Sequence, residues 1–188
     1  MMRVLAIDPG MKHTGVALVD ERGVVRACTL DSTKYKPVKT SRPAMIERGK
    51  NLCTQLGTLL TCWEHDVVVV EQFDLHFNDD GTPRKGISNA MSATQGIWFE
   101  GWLLHYLCVD MEEDVHPQTP TEVFSPRLTY SIWWYLGANK PRGLEKEDEL
   151  RYLARHMPGG ENCHGARDQI QAAAHGIKYI LDHERLFD

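Results

Sequence analysis

"VLAIDPGMKHTGVALVD", residues 4–20, consists of two apolar segments separated by a Pro-Gly break. The segments rich in Val, Leu and Ile predict buried strands over 3–7 and 16–19, and Gly15 opens the second of them. Asp8 ends the first strand, directly above a turn whose side chains are small. A phosphate, a metal ion or a nucleic-acid strand could therefore approach the backbone there, although Asp before Pro-Gly is also ordinary turn chemistry.

The rest of the chain continues the alternation of strands and helices. The predicted elements are strands over 3–7, 16–19, 24–29, 67–70 and 114–118, a helical stretch after Pro120, and helices starting at Pro43 and covering 89–107, 145–156 and 166–183. Residues 67–70 are apolar on both faces, as in a parallel strand that helices cover on both sides. In the helix over 89–107, Ala93, Ile97, Gly101 and Leu104 form a face with two small residues, which suits close packing. The order β-β-β-α-β-α-β-α-α predicts a single α/β domain over 1–188 with a mixed sheet.

The composition is that of a globular protein. Of the 188 residues, 42% are hydrophobic and 25% are charged. No apolar run reaches membrane-spanning length and no signal-peptide pattern opens the chain, so we expect a cytoplasmic protein without a membrane partner. The five scattered cysteines contain no C-x-x-C pair, which argues against a zinc cage and against a disulfide framework.

The charge is distributed unevenly. The net charge of -5 does not indicate nucleic-acid binding, yet the segment over 33–50 has only Glu47 against its basic residues. Those basic residues are Lys34, Lys36, Lys39, Arg42, Arg48 and Lys50. The segment is either a solvated loop or a patch that contacts phosphates.

Two further carboxylates occupy positions like that of Asp8. Glu71 closes the most apolar strand, where the chain either reaches solvent or contributes to a site, because open α/β sheets bind ligands at the carboxyl ends of their strands. Carboxylates side by side at two such ends would repel each other without a cation. Asp168 lies in the first turn of the last helix, where a negative charge suits the helix dipole. The Ala-rich sequence of that helix allows a close approach to the sheet, which would bring Asp168 to the same edge.

These motifs, in this order, resemble the RuvC family of Holliday-junction resolvases in the RNase H-like superfamily. The resemblance rests on "DPG" and "TG", on the strand ending in "EQ", on "HPQTPTEV" over 116–123, on "LEKEDELRYLARHM" over 144–157, and on the late D-x-x-x-A-x-A-x helix. It covers most of the chain. It implies an RNase H-like mixed five-stranded sheet flanked by helices, and the activity of a magnesium-dependent crossover junction endodeoxyribonuclease.

The resemblance also implies a site of four ligands for two Mg²⁺ ions, for which Mn²⁺ can substitute. Three family positions are matched by acids and a fourth catalytic position by a lysine: Asp8, Glu71, Asp168 and Lys146. The remaining ligand, Asp or His in the family, is expected three residues before Asp168, where this chain has Gly165. Either His164, one residue earlier, fills that role, or the fourth ligand is absent.

The family further implies four-way or other branched DNA as the partner, and a homodimer, because resolving a junction requires two symmetric cuts. The residues expected to contact DNA are Lys12, Lys34, Lys36, Lys39, Arg42 and Phe73. Phe73 would stack on an unpaired base, although the family aromatic aligns with Asp74. The family's basic residue after Val123 is replaced by Phe124. These departures indicate a divergent branch, of bacterial or viral origin.

Two other functions stay open from the sequence. A catalytically weak RNase H-like protein would keep the fold and bind nucleic acid, which the displaced His164 and the Phe124 substitution favour. An actin-like phosphotransferase would use "IDPGMKHTG", over 7–15, as its first phosphate loop. That class needs two lobes and a second phosphate loop, and this chain is too short for both lobes and contains one such loop.

Overall fold

The central strand of the sheet is the one that carries Asp8. The computed structural model describes residues 1–10, 12–33, 42–72 and 90–185. Its strands are β1 (Arg3–Asp8), β2 (His13–Asp20), β3 (Gly23–Asp31), β4 (Val67–Glu71) and β5 (Val115–Gln118), in the spatial order β3-β2-β1-β4-β5. β2 runs antiparallel to both of its neighbours, whereas β1, β4 and β5 are parallel. The predicted mixed five-stranded sheet is confirmed.

The helices flank this sheet on both faces. They are α1 (Arg42–Cys62), α2 (Ala90–His105), α3 (Pro120–Phe124), α4 (Ile132–Tyr135), α5 (Lys146–Ala154) and α6 (Arg167–Arg185). A capping box between Thr119 and Glu122 starts α3, with Pro120 in its first turn. The helical stretch predicted after Pro120 is therefore two short helices. Within the described residues, no helix is both long and apolar enough to cross a membrane.

Alternate residues of β1 bury into two different cores. Val4 and Ala6 join the core under α6, while Leu5 and Ile7 join the core under α1 and α2. All four side chains are 0% exposed. Removing a side chain such as those of Val4, Leu5 and Ile7 from water contributes about 1.5–3 kcal/mol. The double-sided burial predicted for the parallel part of the sheet is confirmed, and it fixes the face that each later residue of a strand presents.

Small side chains let α6 lie close against the sheet. Ala6 is paired with Ala17 on the neighbouring strand. On the helix, a Cβ added at Gly176 would lie 3.1 Å from Cβ of Ala6 and 2.9 Å from Cγ2 of Val19. The helix therefore has room because both surfaces lack bulk at the same place, as the Ala-rich sequence predicts.

α6 also approaches the sheet closely at Gly15. A Cβ added at Gly15 would lie 2.1 Å from the backbone carbonyl oxygen of Asp168. Gly15 is also the residue paired with Asp8 across β1 and β2. The absence of a side chain at Gly15 thus brings the first turn of α6 to the carboxyl end of β1.

The predicted packing face of α2 is wrong at Ile97 and Gly101, whereas Leu104 does pack against the core under α1 and α2. Ile97 is 45% exposed, and a Cβ added at Gly101 would have no atom within 4 Å. The buried face instead includes Phe99 and Leu103, which join the core under α1. The helix has apolar residues on several sides, so apolar periodicity alone does not select the face that is covered.

Replacing Gly15 by Ala should destabilise the fold by about 1–3 kcal/mol, because the new methyl group meets helix backbone rather than a movable side chain. Urea unfolding measures the change. The matched control is Gly101→Ala, where the added methyl group meets open space in a helix interior and should stabilise by roughly 0.5–1 kcal/mol. A Gly15→Ala protein as stable as the parent would contradict the close contact.

Candidate active site

The last residues of two adjacent parallel strands are both acidic. Asp8 ends β1 and Glu71 ends β4. The register pairs Ile7 with Val70, so the residues that follow lie next to each other at the edge of the sheet. Strand alternation places both carboxylates on the side of α6, as it does for Ala6 two residues before Asp8.

The third carboxylate comes from the first turn of α6. Burial raises the pKa of Asp8 well above its usual value, and so do the negative charges of Glu71 and Asp168 and a hydrogen bond with the Glu71 side chain. The positive charge of Arg167 lowers the pKa of Asp8. The structure thus brings the three acids together closely enough for their charges to interact, and this concentration of charge favours either a proton or a cation.

His175 is a member of the site that sequence reasoning missed. Its side chain is 0% exposed, and its Nε2 atom lies 3.1 Å from Oε2 of Glu71. Its Nδ1 atom lies 3.1 Å from Oε1 of Gln118, the residue paired with Glu71 on β5. The available signal was its position seven residues after Asp168, two turns along the same face of α6.

Arg167 is the second residue that sequence reasoning missed. Its Nε atom donates a hydrogen bond to Oε1 of Gln171, 2.9 Å away, one turn along α6. Its charge acts on Asp8, as described above. In the sequence, an Arg next to an Asp at a helix start looks like an ordinary pair of surface residues. Only the fold shows that the charge of Arg167 acts on this acidic cluster.

The donor atoms fit a hard divalent cation in type. Carboxylate oxygens are the ligands that Mg²⁺ prefers, and among the described residues the buried Oε2 of Glu71 has no partner aligned as a hydrogen bond. Within those same residues, no group of three or more His, Cys, Asp or Glu side chains is already arranged to hold a metal ion. The acids are therefore gathered at one edge, and their side chains would have to turn to coordinate a cation.

His164 lies in the turn before α6. Its backbone is left-handed, with φ 47° and ψ 26°, and Gly165 follows with φ 70°. The side chain is exposed, and among the described residues no hydrogen bond or ion pair joins it to the three acids. Lys146 is the exposed first residue of α5. The roles of His164 as a metal ligand and of Lys146 in catalysis stay predictions.

Most of the residues predicted to bind nucleic acid are not described by the structure. Those outside the described residues are Phe73, Lys34, Lys36 and Lys39. Arg42 is the first residue of α1. Lys12 is exposed in the turn before β2, where its carbonyl oxygen accepts a hydrogen bond from the backbone N–H of Ser32 at 3.0 Å. Contact of these side chains with DNA stays a prediction.

Comparisons with known proteins identify the fold. No family model and no curated protein matches the sequence. Two solved structures are similar over nearly the whole chain. One is T. thermophilus RuvC in complex with Holliday junction substrate, with a TM-score of 0.61, 14% identity and coverage of 98% of this chain and 96% of that chain. The other is a Thermus thermophilus RuvC structure, with a TM-score of 0.59, 16% identity and coverage of 99% and 97%. At this identity the likeness shows the fold, and the predicted RNase H-like class is confirmed.

The raised pKa of Asp8 predicts how the metal-free protein responds to pH. The folded state holds that proton more tightly than the unfolded chain does, so stability should fall as the pH rises through the raised pKa of Asp8. Asp8→Asn has no proton to lose. Without divalent cations it should therefore unfold at a higher temperature than the parent at neutral pH.

Thermal unfolding followed by circular dichroism in EDTA, from about pH 4 to pH 8, measures this difference. The difference should shrink as the pH falls toward 3.8, the usual pKa of Asp. Asp20→Asn, at the far end of β2, is the control and should follow the parent. An Asp8→Asn protein no more stable than the parent at neutral pH would contradict the electrostatic account.

Proposed function

We propose that the chain is a divalent-metal-dependent endonuclease that cleaves four-way junctions or other branched DNA. The observation that carries this proposal is the meeting of Asp8, Glu71 and Asp168 at one edge of an RNase H-like sheet. The same fold occurs in a RuvC whose structure contains a Holliday junction substrate. A cluster of acids attracts hard divalent cations, and such cations would promote phosphodiester hydrolysis.

In this proposal the three acids hold two Mg²⁺ ions, for which Mn²⁺ can substitute. When bound, the ions supply stabilisation of both the attacking and the leaving oxygen in an in-line displacement. The charges of both other acids act on Asp8, and Asp8 would be one of the residues that hold the ions. Because burial and these charges raise its pKa, Asp8 would release a proton as it takes up a cation.

The basic residues near the cluster would then contact the substrate. The charge of Arg167 acts on Asp8, and Arg167 would attract a phosphate toward the acids. Lys146, at the start of α5, would contact the phosphates around the cleaved bond. The basic segment over 33–50 would contact the DNA backbone more widely, and Phe73 would stack on an unpaired base. A homodimer would supply the two symmetric cuts that a junction needs.

A binding-only role is the second candidate. It is favoured by one observation, namely that the acids, within the described residues, are not already arranged as a metal site. Such a protein would bind branched DNA with similar affinity in the presence and absence of Mg²⁺, and it would leave the DNA intact.

Asp8→Asn should abolish Mg²⁺-dependent cleavage while branched-DNA binding stays near that of the parent. The expected loss is at least about a hundredfold in rate, equivalent to about 2.7 kcal/mol of transition-state stabilisation. Cleavage of a four-way junction and of a linear duplex of the same sequence, measured on gels, tests both rate and selectivity. Asp20→Asn is the control. Undiminished cleavage by Asp8→Asn would contradict the proposed site, and an uncleaved but bound junction with the parent would establish the binding-only role.

His164→Ala tests whether His164 completes the site. If His164 is the fourth ligand, His164→Ala should lose at least about tenfold in cleavage rate at limiting Mg²⁺. His164→Asp should retain activity, because a carboxylate is the family's alternative at this position. The control is His156→Ala, another exposed histidine, whose Nδ1 contacts the carbonyl oxygen of Tyr152. If His164→Ala cleaves at the parental rate at every Mg²⁺ concentration, His164 is not a ligand and the site consists of Asp8, Glu71 and Asp168.

A further inference from the structure

We propose that His175 is a positioning residue that donates a hydrogen bond from Nε2 to Glu71 and so orients this carboxylate for a divalent cation. This inference rests on the proposed function, since it assigns to Glu71 the role of a metal ligand. The His175 side chain is fully buried, deeper than that of Glu71. It would act only through Glu71.

The geometry around the ring selects Glu71 as its target. The His175 side chain is 0% exposed and that of Glu71 is 14% exposed, so their 3.1 Å approach is shielded from water. Among the described residues, neither Nε2 of His175 nor Oε2 of Glu71 has a partner aligned as a hydrogen bond. Two buried polar atoms that face each other this closely need only a turn of the carboxylate to bond, and leaving both unsatisfied costs about 1–3 kcal/mol each.

The other side of the ring is anchored to the sheet. Nδ1 lies 3.1 Å from the amide of Gln118, and the backbone carbonyl oxygen of Gln118 accepts a hydrogen bond from Gln72 N–H at 2.7 Å. The ring of Phe124 packs edge-on to the imidazole, with 5.5 Å between ring centroids and an interplanar angle of 74°. Contacts from a strand and from α3 thus fix the plane in which Nε2 points at Glu71.

Both ring nitrogens face oxygen atoms, Nδ1 that of the Gln118 amide and Nε2 that of Glu71. Nε2 donates to Glu71 either when both nitrogens carry hydrogens, or when Nε2 alone does and Nδ1 accepts from the Gln118 amide after that amide is turned over. Glu71 keeps its second oxygen for a cation. A hydrocarbon side chain would fill the same volume in the core but would leave Glu71 without a buried donor.

Substitutions at His175 separate positioning from packing. His175→Gln can place a donor near the former Nε2, whereas His175→Asn can place one only near the former Nδ1. Mn²⁺ affinity, measured by the electron paramagnetic resonance of free Mn²⁺ in the absence of DNA, should fall at least about tenfold in His175→Asn. In His175→Gln it should stay within about threefold of the parent. Thermal unfolding in EDTA shows whether each variant folds.

Three outcomes of the Mn²⁺ titration are decisive. Weak binding by folded His175→Asn and near-parental binding by His175→Gln support the proposal. Parental affinity in His175→Asn overturns the role of His175 while leaving the proposed function intact, provided that Asp8→Asn abolishes Mn²⁺ binding. If Asp8→Asn binds Mn²⁺ as the parent does, the metal site itself is refuted, and with it both the proposed function and the role of His175.

A measurement on the parent protein keeps the test valid if both His175 variants fail to fold. In protein labelled with ¹⁵N at histidine, the resonances of the His175 ring report which nitrogen carries the hydrogen, and correlations from the ring protons to Phe124 assign them. The proposal predicts a hydrogen on Nε2 and a change of this resonance when Mg²⁺ is added. An Nε2 atom without a hydrogen in the presence of Mg²⁺ would overturn it.

Discussion

The close contact between the backbone of Asp168 and Gly15 is the constraint on which the site depends. A single missing side chain on β2 lets the first turn of α6 reach the strand end where Asp8 lies. The same helix then continues over a surface of small residues, where Gly176 meets Ala6. The packing of α6 on the sheet therefore both completes a core and places the Asp168 carboxylate near Asp8. A change in this packing would alter the core and the site together.

Asp8 is buried beside two other carboxylates, and the apolar sheet beneath it offsets this unfavourable placement. Burial and the neighbouring negative charges disfavour the ionised form of Asp8 and so raise its pKa. The stabilisation comes from strands such as Val67–Glu71, whose apolar residues are buried before the chain reaches its final acid. When a strongly apolar strand ends in a carboxylate, the burial of its apolar residues thus holds that carboxylate close to the others.

Much of the fold could be predicted from sequence because its signals are local. The Pro-Gly break, the valine run and the Ala-rich helix each indicate an element and its burial, and the sheet confirms them. The covered face of α2 could not be predicted, because several of its faces are apolar. At the site, Asp8 and Glu71 were visible as charges that end strands. His175 was not, because its position on the same helix face as Asp168 does not reveal that its ring contacts Glu71 on β4 and Gln118 on β5.

The first turn of α6 is the part of the site that should open first on warming. Asp168 lies in the first turn of the helix, just after the left-handed residues His164 and Gly165, and helix ends fray at lower free energies than helix centres. His175 lies two turns further in, under the core. Local opening of the first turn would release Asp168 while Glu71 and its buried partner stay in place. On warming, such a molecule would pass through a folded state in which Asp168 has left the other two acids, before the sheet itself unfolds.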